Sequence, residues 1–405
     1  MRSPATGAAT FSFCYNAFMT IGITGPEQKP PPGRNAVVGL IVTAILAGIC
    51  LILLALVGDF LVDWMWFSAV GYWQVFWTTI GAKAGVFSVV LAATAVIVWA
   101  NARLALDLAR WRRNRIAFDR KLAATAAPYD PFEFMRDRLP WPLTIAGGAG
   151  LVALLVAWGE VGNWSVFLQF LYHVPYGAND PLYDKDIGFY LFALPAYIAI
   201  KNWTLLTLFM SALFAGVIYW VHGDIEYQVQ QRSISPTAIA HGSVLLGFFF
   251  AAKAWSYGLD RYFLLYGDNG VVVGASYTDV HVELPVLWLL VGLSVVAALA
   301  AWANLWVRTY RLPAAAMVLI FGGAFLLSGV VPTLFQRLYV KPSELELERP
   351  YIERSIRLTR EAYKLDRIAA KPFPAEQNLT SRTLEANKAT IENIRLWDWQ
   401  PLADT

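Results

Sequence analysis

Charge is scarce in this chain of 405 residues. Asp, Glu, Lys and Arg make up 15% of it, where soluble domains carry about 25%. Apolar residues reach 57%, and so charge-poor a surface calls for an apolar solvent, which a lipid bilayer supplies. Cysteine is nearly absent: Cys14 and Cys50 cannot build a disulfide framework, and Cys50 lies in an apolar run where a free thiol acts as a small hydrophobe. The net charge of +3 is too small to attract nucleic acid. No HExxH, CxxC pair, G-x-S-x-G or Walker motif occurs. No catalytic residue, cofactor or small-molecule substrate is therefore indicated, and the reading leans away from an enzyme. The first 35 residues lack a charged stretch followed by a clean apolar one, so they are not read as a signal peptide. Their end, "QKPPPGR", reads as part of a disordered cytoplasmic tail, residues 1–35.

What is abundant is long apolar segments. About 20 residues of helix cross a ~30 Å hydrocarbon core, and seven segments qualify: about 36–57, 76–100, 140–158, 195–221, 237–255, 285–307 and 313–334. Prolines 140, 195, 285 and 313 stand where several would begin, a place where the missing N–H costs nothing. Without water every backbone group must pair internally, so helices are expected. The fold class is therefore all-α, a seven-helix polytopic bundle over residues 36–335.

Charge orients that bundle. The connection 101–139 holds "RWRRNR" (Arg110–Arg115), the N-terminal tail holds Arg2, Lys29 and Arg34, and the sixth connection holds Arg308 and Arg311. Connections of the other parity are acidic or neutral, with Asp59 and Asp63, then Asp180, Asp184 and Asp186, then Asp260, Asp268, Asp279 and Glu283. The positive-inside rule puts the N-terminus in the cytoplasm and the C-terminus outside. The connection between the first two spans, "DWMWFSAVGYWQVFW", reads as an aromatic belt at the outer interface.

Ionisable groups inside spans are functional candidates by default. His241 and Lys253 share the fifth span, but twelve residues separate them, about 18 Å along a helix, so they do not form one site. Lys253, Tyr257 and Asp260 follow helical spacing and share a face. In "DPLYDKDIGFYLFALP" (Asp180–Pro195), Asp184 and Asp186 invite a calcium reading, but Gly188 occupies the third ligand position of the EF-hand pattern. Asp180, Asp184 and Asp186 remain candidate metal ligands only with help from Asp279 or His281; structural loop contacts are the reading preferred.

After the seventh span the composition becomes amphipathic. "RPYIERSIRLTREAYKL" (Arg349–Leu365) predicts a helix with Pro350 in its first turn, and Ser381–Trp397 predicts another, capped by Ser381. Residues 336–405 read as the beginning of an extracytoplasmic domain that is cut short. Together with "DWMWFSAVGYWQVFW", "DPLYDKDIGFYLFALP", "AAKAWSYGLDRYFLLY" and "GASYTDVHVELP", the stretches "RPYIERSIRLTREAYKLD" and "TIENIRLWDWQPL" resemble, in this order, the uncharacterised protein family 0182 of bacterial multi-pass membrane proteins. The resemblance covers about residues 36–405 and implies a seven-span plasma-membrane module followed by an outer domain longer than the one present. The N-terminal tail has no counterpart in it, and the family supplies no catalytic residues.

The function expected is a membrane anchor for an extracytoplasmic domain with a cell-envelope role. A transporter or channel component and an envelope-modifying enzyme stand as alternatives. The partners expected are the lipid bilayer, other envelope proteins and further copies of the chain.

Overall fold

The computed structural model describes residues 34–123, 132–227, 232–268, 273–369, 371–372 and 380–394. The expected disordered tail falls almost wholly on residues 1–33, outside the described residues. The chain divides into two compact units, Met1–Gly85 and Val86–Thr405.

The first unit holds α1 (Arg34–Val70) and the start of α2 (Trp73–Ala123), most of which belongs to the second. The expected connection over residues 58–75 shrinks to Gly71 and Tyr72, because α1 stays helical to Val70. Gly71 has φ +83°, a left-handed conformation that glycine adopts without penalty. The aromatic stretch thus lies on two helix ends. Phe76 is its buried centre, stacked on Trp73 and met edge-on by Phe60, while Trp64, Trp66 and Trp77 stay exposed. Helix α1 contains the first expected span, though most side chains of that segment lie outside the described residues.

Helix α2 runs past Ala100, where the span was expected to end, to Ala123. No Gly or Pro interrupts residues 86–123, and Ala, Leu and Arg are strong helix formers. "RWRRNR" therefore lies on the helix itself, spread around its circumference, rather than beyond its end. The rest of the second unit comprises α3 (Glu133–Arg138), α4 (Trp141–Glu160), α5 (Trp164–Tyr172), α6 (Leu194–Val221), α7 (Pro236–Asp260), α8 (Leu284–Val307), α9 (Arg311–Ala324), α10 (Val331–Phe335), α11 (Glu344–Ala362), α12 (Ser381–Ala386) and α13 (Lys388–Glu392). A small antiparallel pair, β1 (Ile225–Tyr227) with β2 (Arg232–Ile234), departs from the all-helical expectation.

Six helical stretches among the described residues are long and apolar enough to cross a membrane: Trp73–Arg115, Trp141–Tyr172, Phe189–Val221, Pro236–Tyr266, Asp279–Val307 and Arg311–Ala362. Their large apolar side chains face outward, with Trp306 82% and Val318 73% exposed, whereas Asn304, Ser294, Ser211 and Thr94 are fully buried. An exterior this apolar around a partly polar interior fits lipid, not water.

Small residues bring these helices together, the usual device where lipid leaves no hydrophobic drive between them. Helix α7 packs on both α6 and α8. Phe250 of α7 is buried against Ala297, Ala298 and Ala301 of α8 and Ala316 and Ile320 of α9. Gly247 lies under the Trp302 ring, where an added Cβ would collide with the indole.

Prolines leave a regular mark. Among the described residues, π-helical turns occupy Phe189–Ala193, Asp279–Glu283, Phe325–Val330 and Gln336–Val340. Each ends two residues before a proline: Pro195, Pro285, Pro332 and Pro342. A proline within a helix lacks an N–H and crowds the carbonyl four residues back, which here falls inside the widened turn every time. The expectation that Pro195 and Pro285 begin helices is thus corrected. The chain is already helical ahead of them, and the extra residue per turn relieves the clash.

Beyond the last span the helical path continues through α10 to the end of α11. Pro350 lies inside α11 rather than in its first turn. The cap of α12 is Thr380, not Ser381, with Thr380 and Thr383 bonded reciprocally in a capping box. The expected helix to Trp397 is two short ones, and its end lies outside the described residues.

Candidate functional site

At one end of the second unit, where α6 and α8 start and α7 finishes, the aspartate loop folds on itself. Asp180 accepts bonds from the backbone N–H groups of Leu182 (2.8 Å), Tyr183 (2.8 Å) and Lys185 (3.0 Å) and from the Tyr190 hydroxyl (2.7 Å). Asp186 accepts from the N–H groups of Tyr176, Gly177 and Gly188 at 2.7–3.0 Å. Asp184 has φ +53° and accepts from the Asn179 amide at 2.9 Å. Burial alone would raise the Asp180 carboxyl, but the Tyr190 hydroxyl and the three N–H groups outweigh it and hold the group below the usual carboxylate range. Hydrogen bonds from Tyr176 and Gly177 lower Asp186 in the same way. Both carboxylates are thus committed to shaping the turn.

The loop is tied to the end of α7. The Tyr183 hydroxyl donates to the Arg261 carbonyl at 2.6 Å, and its ring meets Tyr262 edge-on at 5.2 Å. Burial pushes the Tyr183 phenol up to about 12, which keeps that donor protonated. The Arg261 guanidinium lies over Trp288 near the start of α8.

The two intramembrane candidates lie apart along α7. His241 is buried, with Nδ1 2.9 Å from the Tyr219 hydroxyl of α6 and Nε2 3.4 Å from Asn101 of α2. Lys253 places its ammonium 4.2 Å from the centre of the Tyr257 ring. The same helix carries Asp260, which accepts from Ser256 at 3.5 Å. The helical face read from the sequence is therefore present.

At the other end of the unit, Arg112 of α2 pairs with buried Asp224 in the turn after α6. Asn304 of α8 donates to Ser243 of α7 at 2.8 Å and accepts from the Thr309 N–H at 3.0 Å. His222 packs its ring 4.6 Å from that of Trp141. Its burial lowers it below the ordinary histidine value, with nearby Arg113, Arg136 and Arg110 acting in the same direction.

A cavity of about 270 Å³ opens beside the first turn of the α8 stretch. Asp279 and Glu283 of one π-turn line it, with Ser328 of a second, Gln336 and Arg337 of a third, and Thr333 between them. The Ser276 N–H donates to Asp279 at 2.8 Å, and the Thr278 hydroxyl bonds to Gln336. Buried Glu348 of α11 accepts the Tyr277 N–H on both oxygens, at 3.1 and 3.0 Å, tying α11 to this end. His281 points elsewhere, stacked on Tyr277 at 4.1 Å. Asp279 and His281 thus share a turn without sharing a site. Among the described residues no three His, Cys, Asp or Glu side chains stand so as to hold a metal ion.

Sequence reasoning missed this cavity. Arg337 and Gln336 carry no motif, and Glu283 looked like one more outer charge. The available signal was proline: "DVHVELP" and "FLLSGVVP" set polar residues just ahead of a proline inside an apolar run.

The landmarks of these loops have counterparts elsewhere. The family model described as an uncharacterised protein family, UPF0182, matches residues 40–405. The chain belongs to this family. It is 67% identical over 388 residues to a UPF0182 protein of Bradyrhizobium diazoefficiens, covering 96% of this chain and 42% of that one. A UPF0182 protein of Cupriavidus necator is 51% identical over 376 residues, covering 92% of this chain and 40% of the relative. One from Desulforamulus reducens is 33% identical over 353 residues, 85% of this chain and 38% of the relative. The chain therefore spans about two fifths of the length of the curated relatives it matches. No solved structure matches it.

Proposed function

We propose that this UPF0182 chain is the membrane module of a larger bacterial envelope protein. It spans the plasma membrane seven times, with α1 as the first span, the N-terminus in the cytoplasm and residues 336–405 beginning an extracytoplasmic domain. The observation that carries this reading is the separation of charge between the two ends of the second unit. Arg112–Asp224 and Asn304–Ser243 bring together the ends of the helices that carry the "RWRRNR" run and the Arg308–Arg311 connection. Tyr183, Arg261 and Trp288 bring together the acidic connections. An excess of Arg and Lys at the end that faces the cytoplasm is the distribution that membrane insertion favours.

On this reading the apolar helices anchor, and the folded outer loops form the platform on which α11 and the rest of the relatives' length stand. Alkaline phosphatase fused after Thr405 is expected to be active and a fluorescent protein fused there to be dark. The reverse pattern overturns the orientation. A second reading, a transporter or channel component, is favoured by the Asn101–His241–Tyr219 group, whose His241 and Tyr219 are buried, because polar side chains within spans mark solute and proton paths. It predicts flux in liposomes that His241→Ala abolishes, and absence of flux under any imposed gradient removes it.

A further inference from the structure

The cavity beside α8 presents charges of both signs that have not closed on each other. The Glu283 carboxylate and the Arg337 guanidinium line it, yet neither makes a hydrogen bond or ion pair with any described residue. Asp279 adds a second carboxylate, four residues ahead of Glu283 on the same π-turn and fixed by the Ser276 N–H. Widened turns of this kind are frequent at functional sites, and here three of them frame one hollow. Ser328 supplies a hydroxyl, the Thr333 hydroxyl already donates to the Gly329 carbonyl at 2.7 Å and can still accept, and Gln336 is held by Thr278.

The charge pattern narrows the occupant. A simple anion would meet two carboxylates, and a simple cation would meet a guanidinium. At about 270 Å³ the cavity lies just under the ~300–1,000 Å³ typical of drug-sized ligands, which suits one small polar group. We infer that this cavity binds a compact zwitterion, its ammonium group held by Asp279 and Glu283 and its anionic group by Arg337. Charge-assisted hydrogen bonds of both kinds are the strong ones, and a ligand carrying both charges converts two unpaired groups into two paired ones.

Two sources offer this chemistry: the headgroup of an aminophospholipid and a free phosphoethanolamine-like solute. The lipid source rests on the membrane reading above; the solute source does not. The experiment uses purified full-length protein in detergent, titrated calorimetrically with O-phosphoethanolamine, with ethanolamine and glycerol phosphate as single-charge controls. Native mass spectrometry with phosphatidylethanolamine against phosphatidylglycerol forms the lipid arm.

Phosphoethanolamine or phosphatidylethanolamine should bind, the controls should not, and Glu283→Gln and Arg337→Gln should each weaken binding about tenfold or more. Arg337 is exposed, so Arg337→Gln keeps the test valid if Glu283→Gln fails to fold. Binding in the lipid arm alone supports a headgroup site, and binding in both arms supports a site open to free solute. Equal binding of a single-charge control, wild-type affinity in Arg337→Gln, or no binding in either arm overturns the inference. Such a failure leaves the membrane reading standing, because the Thr405 fusions test that separately.

Discussion

The two ends of the second unit hold their polar groups in opposite ways. At the end bearing Asp180, the carboxylates of the aspartate loop serve that loop, although Glu348 and Tyr183 reach across to other elements: Asp180 gathers three backbone N–H groups and one hydroxyl within ten residues. At the end bearing Asp224, polar groups reach between helices, with Arg112 crossing to Asp224, Asn304 to Ser243 and Tyr219 to His241. The first end is a set of loops built to keep their own shape. The second is a set of helix ends pinned to one another. Removing a group should therefore unfold a loop at the first end and splay helices at the second.

Arg112→Ala offers the largest break. It leaves the buried Asp224 carboxylate unpaired, and removing one partner of such a pair costs about 3 kcal/mol or more. Unfolding in detergent should shift accordingly, and hydrogen exchange should rise in α2 and in the strands β1 and β2 but not in the aspartate loop. Asp180→Ala comes next, at about 2–3 kcal/mol, because it strands the buried Tyr190 hydroxyl and three part-buried N–H groups. Its exchange should rise over residues 176–190 alone. A loss of similar size at both ends in either variant would erase the distinction.

Acid sharpens the same contrast. His222 is depressed in the folded protein, so its contribution is complete above the ordinary histidine value of about 6.5 and fades as pH falls through its lowered folded value. Asp180 is depressed too, and as a carboxylate its contribution is complete above about 4 and fades only below that. Acidification from pH 7 to 5 should therefore loosen the α4–α6 contact around Trp141 while the aspartate loop stays protected, as read by hydrogen exchange. The smallest effect belongs between the ends. Gly247→Ala should cost about 1–3 kcal/mol by overpacking Trp302, raising exchange along α7 and α8 without favouring either end.

Much of the architecture was legible in the sequence. Apolar runs located α4 and the helices from α6 to α9, because a helix in lipid needs little beyond length and the absence of charge, but they missed α5 in the connection after α4. Boundaries were less legible. Charge marks residues 101–139 as a connection beyond the second span, but charge does not stop a helix without Gly or Pro, and α2 runs on to Ala123. Pro195 and Pro285 read as helix starts because a first-turn position suits proline, although a position just after a widened turn suits it as well. Asp180 and Asp186 were prominent from their spacing, but their partners are backbone N–H groups, which spacing cannot reveal. The Glu283–Arg337 cavity joins residues 54 positions apart in sequence through three π-turns, a distance that no local pattern encodes.

The two-ended account is tested most directly by labelling its ends. With Cys14 and Cys50 replaced by serine, Lys185→Cys and Arg308→Cys place single thiols in the acidic and the basic connections. On right-side-out membrane vesicles a membrane-impermeant maleimide should label Lys185→Cys at once and Arg308→Cys only after detergent is added. Labelling of both without detergent, or of Arg308→Cys alone, would contradict the account.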